Sequence, residues 1–73
     1  SDFKTALQEI TQAEFGSIPE YKLECAYGPD HQKEFEVSIW IDGKTYGKAI
    51  GKSKKLAQQA IAKIALDKLK GNS

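Results

Sequence analysis

Residues 33–50 run KEFEVSIWIDGKTYGKAI. Phe35, Val37, Ile39 and Ile41 fall on alternate positions with Glu36, Ser38 and Trp40 between them, the pattern of a strand with one buried face. Asp42-Gly43 follows at once, and both residues tolerate the positive φ that a two-residue hairpin turn needs. Lys44–Ile50 is then the returning strand, short and lysine-rich. Upstream, YKLECAY alternates in the same way, with Tyr21, Leu23, Cys25 and Tyr27 on one side and Lys22, Glu24 and Ala26 on the other. The GPDH segment, Gly28 to His31, separates the two runs as a turn by composition. Three strands joined in this way make an antiparallel meander.

Helical periods flank the meander. Phe3, Ala6, Leu7 and Ile10 stand at i, i+3, i+4 and i+7, which predicts a helix over Asp2–Glu14 with one apolar face. Ser1 or Asp2 can cap its start, Gly16 can close its end, and Pro19 in the SIPEY connector excludes continuation. From Lys54 to about Lys70 a second helix is expected, capped by Ser53 and ended by Gly71. Its apolar face takes Ala57, Ala60, Ile61, Ile64 and Ala65, and the alanines allow close approach to a neighbour. The order is α-β-β-β-α, an α+β fold with a three-stranded antiparallel sheet and both helices packed on one face. Nothing divides the chain, so residues 1–70 form one domain and 71–73 a frayed tail.

A chain of 73 residues buries only about 60% of its unfolded surface, enough for one small domain. Cys25 is the sole cysteine, which excludes an internal disulfide and fits a reducing compartment. Its place in the alternating run marks it as a small core residue. No signal peptide is expected, and no apolar run in the sequence is long enough to span a bilayer. A soluble cytoplasmic domain, monomeric by itself and without a membrane partner, is expected.

The net charge of +1 hides a polarised chain. Residues 1–43 set Lys4, Lys22 and Lys33 against nine carboxylates, a net −6, while residues 44–73 set eight lysines against Asp67 alone, a net +7. Lys52, Lys54 and Lys55, with Lys48 just upstream, crowd the start of the second helix. That end already carries partial positive charge from free backbone N–H groups, so clustered cations there are locally unfavourable. An external anion relieves the repulsion, and a helix N-terminus capped by Ser53 is suited to phosphate. A merely solvated basic helix start is the plainer alternative.

Catalysis has almost no footing. The chain has one histidine, His31, no HExxH and no nucleophile beside a base. Gly51-Lys52-Ser53 looks like the end of a P-loop, but the first glycine of that motif falls on Tyr46. The acids are scattered singly, with no dense cluster for a divalent ion and so no metal ligand set. A binding role remains. Along the first helix Thr5, Gln8, Glu9 and Gln12 form a second stripe, mostly uncharged and hydrogen-bonding. Such a face suits hydroxyls and base edges, which line the shallow minor groove of A-form RNA, although a bland polar face is equally legal on a surface helix. Pro29 stiffens the loop that carries His31, yet a lone exposed histidine says little by itself.

Taken together these features resemble the double-stranded RNA-binding domain. The resemblance rests on the element order, on PEYKL (Pro19 to Leu23), on GPDH followed by Phe35 and Val37, and on GKSKK running into an alanine-rich helix. FKTALQE at Phe3–Glu9 together with GKSKK looks most like the carboxy-terminal domain of bacterial ribonuclease III. The resemblance implies that Thr5, Gln8, Glu9 and Gln12 enter one minor groove, and Pro29 and His31 the next. Lys52, Ser53, Lys54 and Lys55 would bridge the major-groove phosphates between, over ~16 base pairs recognised mainly by shape. Two positions depart from the family pattern: Ala49 replaces the first glycine of a Gly-x-Gly, and Gln58 takes the third basic position, weakening one phosphate contact. The resemblance further implies an upstream nuclease domain, absent from this chain, that uses Mg2+ and acts as a homodimer; the domain itself needs no cofactor. The competing reading is a protein-interaction or dimerisation module on the same fold, motivated by Trp40 and Tyr46.

Overall fold

The structure, a computed structural model, describes residues 2–71. Helix α1 (Phe3–Phe15) leads into strands β1 (Glu20–Tyr27), β2 (Glu34–Ile41) and β3 (Lys44–Gly51), and helix α2 (Lys54–Leu69) follows. The strands form one antiparallel sheet in the order β1-β2-β3. Asp42 and Gly43 turn the β2–β3 hairpin with φ of 52° and 78°, the positive values that their residue types allow. GPDH is more than a turn: Asp30–Gln32 close one turn of 3-10 helix after Pro29.

Both helices cover the same face of the sheet. α2 lies over β2 and β3, while α1 packs chiefly against α2. The core joins Leu7 of α1, Val37, Ile39 and Ile41 of β2, and Ala57, Ile61, Ala62, Ala65 and Leu66 of α2. Small α2 residues at this contact let the helix come close to the strands. The α2 face is turned from the expected one. Ile64 is 40% exposed and Ala60 half-buried, whereas Ala62 and Leu66 are buried. Thr11 is buried too, and its hydroxyl donates to the Gln8 carbonyl of its own helix at 3.3 Å, so it needs no distant partner.

Two bulges re-aim side chains. Leu23 pairs with Val37 and Cys25 with Glu36, so Glu24 is an extra residue in β1 and the alternation shifts after it. Cys25 is therefore not a core residue. It lies half-buried on the open face, its Sγ 3.5 Å from Glu36 Oε1, and Tyr27 is exposed. In β3 the extra residue is Tyr46, between the pairs Trp40–Thr45 and Ile39–Gly47. Tyr46 packs against the core, and Lys68 Nζ donates to its carbonyl at 3.0 Å. Ser1, the other candidate cap, and the tail residues Asn72 and Ser73 lie outside the described residues.

Candidate nucleic-acid interface

The start of α2 is built by β3 and one capping residue. β3 runs through Gly51, and Ser53 is extended (φ −141°, ψ 162°) with Oγ accepting from Leu56 N at 3.1 Å. The Ala57 amide donates to the Ser53 carbonyl at 2.9 Å, which begins the helix ladder. The Lys54 and Lys55 amides stay free at the positive end of the helix dipole. Ser53 accepts with one lone pair and keeps its own hydroxyl hydrogen for an outside acceptor. Lys52, Lys54 and Lys55 are exposed, and among the described residues no carboxylate lies within 4.0 Å of their amines. Lys48 does not belong to this group. It pairs with Glu36 at 3.7 Å on the open side of the sheet. Ala49 is a strand residue opposite Val37 and does not reach the loop, which consists of Lys52 and Ser53 alone.

On α1 the stripe Thr5, Gln8, Glu9 and Gln12 is exposed along its length. Thr5 donates its hydroxyl to Asp2 Oδ2 at 2.8 Å, so it can offer a ligand only acceptor lone pairs. No partner holds the Gln8, Glu9 and Gln12 side chains among the described residues. The β1–β2 loop presents Pro29 and His31 to solvent, its turn closed by Gln32 N donating to the Pro29 carbonyl at 2.9 Å. Between this loop and Lys52 runs an open depression of about 670 Å³, lined by His31, Gln32, Lys33, Phe35 and Lys52 among others. Gln58 stands apart from the exposed lysines: it is half-buried, and Oε1 accepts from Lys4 Nζ at 2.7 Å.

Asp2 caps α1 as expected, and Gln59 ties that cap to α2 in a way the sequence did not suggest. Asp2 Oδ1 accepts from the Lys4 and Thr5 amides at 3.1 and 3.3 Å and from Gln59 Nε2 at 2.8 Å. Gln59 Oε1 in turn accepts from the Phe3 amide at 2.9 Å. The Gln59 bond, followed by those from Thr5, holds the Asp2 carboxyl down at about 2 from its usual 3.8. A lowered native pKa means that the ionised carboxylate stabilises the fold above its ordinary value and ceases to do so as pH falls towards the lowered one. Wild-type stability is therefore expected to decline between pH 3.8 and about 2 with a component that Asp2→Ala lacks. Parallel acid denaturation curves for the two proteins would contradict this.

The open face gives little support to a partner-binding aromatic. Trp40 is half-buried there, Nε1 donates to Ser38 Oγ at 3.0 Å, and Lys22 Nζ lies 4.3 Å from the ring centroid. Ser38 donates onward to Glu24 at 2.6 Å, so the polar groups around the ring are already matched. Among the described residues no three His, Cys, Asp or Glu side chains stand together to hold a metal ion. No described helix is long and apolar enough to cross a membrane.

Known proteins share both sequence and shape with this chain. It is 84% identical over 70 residues to Ribonuclease 3 of Aliarcobacter butzleri, which covers 96% of the chain and 31% of that protein. It is 58% identical to Ribonuclease 3 of Campylobacter concisus, over 94% of the chain and 31% of that protein. The chain thus spans about a third of the length of these relatives. A solved structure of Arabidopsis HYL1, described for its implications in miRNA processing, superposes with a TM-score of 0.81 at 30% identity over 96% of this chain and 99% of that one. The second dsRBD of DRB4 gives a TM-score of 0.70 at 33% identity, over 99% of this chain and 100% of that one. The family model described as double-stranded RNA binding motif matches residues 3–69, from the first residue of α1 to the last of α2, and the chain belongs to that family.

Proposed function

We propose that this domain grips A-form RNA through three surfaces, as the substrate-binding part of a ribonuclease III. Lys52, Lys54 and Lys55 neutralise phosphates across the major groove, and the released counterions drive binding. Gln8, Glu9, Gln12 and the acceptor side of Thr5 meet 2′-hydroxyls in one minor groove, and the Pro29–His31 loop enters the next. The observation that carries this reading is the unpaired, exposed lysine group at the capped start of α2. The parent enzyme would hydrolyse duplex RNA in the cytoplasm as a homodimer. Its Mg2+ would sit in an upstream nuclease domain, and this chain would deliver the substrate.

The test is a titration with an RNA duplex of about 20 base pairs, the DNA duplex of the same sequence and the single RNA strand, each at two salt concentrations. Tight, salt-dependent binding to duplex RNA alone is expected, and absence of binding to all of them would overturn the reading. Gln8→Ala is expected to narrow the preference for RNA over DNA duplexes through loss of a 2′-hydroxyl contact. Equal loss of affinity for both duplexes would remove Gln8 from that role.

A further inference from the structure

Lys4 of α1 reaches across to α2 with its ammonium. We propose that its ammonium is an additional phosphate contact, carried by α1, positioned by Gln58 and Tyr21, and set between the polar stripe and the lysine group of α2. The proposal rests on the duplex-RNA reading above.

The geometry is specific. Lys4 Nζ donates to Gln58 Oε1 at 2.7 Å and stands 4.9 Å from the centroid of the Tyr21 ring. Neither partner neutralises it, and among the described residues no carboxylate lies within 4.0 Å. Asp2, the nearest acid in sequence, is occupied by the helix start, Thr5 and Gln59. An ammonium has three N–H donors, so one bond to Gln58 leaves two, together with the full charge. Fixing a lysine side chain costs rotamer freedom, and here that restraint leaves a cation with capacity to spare.

Position supplies the rest. Lys4 and Gln8 are four residues apart on α1, and Gln58 is four from Lys54 and three from Lys55 on α2, so each pair shares a helix face. The ammonium therefore joins the row of hydroxyl-seeking side chains to the row of phosphate-seeking ones. Alone, the Gln58 carbonyl would meet an approaching phosphate with a negative dipole end. Turned onto Lys4, it places a positive charge there instead. The Tyr21 ring is the platform, and its buried hydroxyl has no hydrogen-bond partner among the described residues.

The experiment compares wild type, Lys4→Gln, Lys4→Arg and, as a control of equal charge loss on the open sheet face, Lys22→Gln. Each is titrated with an RNA duplex of about 20 base pairs across a salt series, with thermal melting as the check on folding. Lys4→Gln is expected to weaken binding by ~3- to 10-fold and to lower the slope of log affinity against log salt by about 0.9, the share of one phosphate. Lys4→Arg should retain the slope, and Lys22→Gln should leave it unchanged. A Lys4→Gln slope equal to wild type overturns the proposal whatever happens to affinity, because damage to folding alone lowers affinity without releasing fewer ions. An equal drop in slope for Lys22→Gln overturns it too, as that result would mean bulk charge. Failure of the wild type to bind duplex RNA would instead remove the underlying reading.

Discussion

Replacing Lys54 and Lys55 together by alanine is expected to weaken binding to duplex RNA by ~10-fold or more and to lower the salt slope by about 1 to 2 units. Both side chains are exposed at the start of α2, and among the described residues no carboxylate lies within 4.0 Å of either. Alanine is the better helix former, so α2 has no reason to unwind. One packing contact is lost, the Lys54 ammonium 6.0 Å from the Phe35 ring centroid. At an exposed site such a contact is worth ~0.5–1 kcal/mol at best, below the ~1.4 kcal/mol of a tenfold change in affinity. Loss of affinity at unchanged melting temperature therefore reports the phosphates. A salt slope equal to that of the wild type would sink the assignment, since counterion release counts the charges that reach the backbone of the duplex.

What could be read from the sequence follows the reach of each signal. The β2–β3 hairpin and the caps Asp2, Ser53 and Gly16 were legible because they depend on neighbouring residues: Asp42-Gly43 sets its own turn, and Ser53 needs only Leu56. The exposed stripe on α1 follows from helical period alone. Register was not legible. One extra residue, Glu24, carries Cys25 and Tyr27 to the open face, and no composition signal marks it, because the apolar alternation continues through the bulge. The α2 face was misplaced by a similar cause. With alanines at positions 57, 60, 62 and 65, several rotations of the helix look equally apolar, and only packing against the sheet and α1 selects the one that buries Ala62 and exposes Ile64. Lys48 was misassigned because strand pairing, not proximity in sequence, brings Glu36 to it. The ties from Lys4 to Gln58 and from Asp2 to Gln59 join residues 54 and 57 positions apart, beyond any local pattern.

Gly51→Ala is expected to be the most damaging single substitution by volume, although it adds only a methyl group. Where a glycine has room and an ordinary conformation, alanine stabilises by ~0.4–1 kcal/mol through the unfolded chain. Gly51 has no room. A Cβ there would overlap the Ala57 backbone nitrogen and stand 2.9 Å from both Ala57 Cα and the Leu56 carbonyl carbon. These are backbone atoms of the first turn of α2, held by the Ser53 cap, so no side-chain rotation relieves the contact. Overpacking of this kind costs ~1–3 kcal/mol or more, which outweighs the entropic gain. A net loss of ~2 kcal/mol lowers the melting temperature of a domain this small by roughly 8–16 °C. The same contact sets where Lys52, Lys54 and Lys55 stand, so below the melting temperature the variant should also bind duplex RNA more weakly. Ala57→Gly should not rescue it, because the obstruction is backbone rather than the Ala57 methyl. A Gly51→Ala protein that melts with the wild type would mean that the end of β3 and the start of α2 are free to separate, and the lysine group would then have no fixed base.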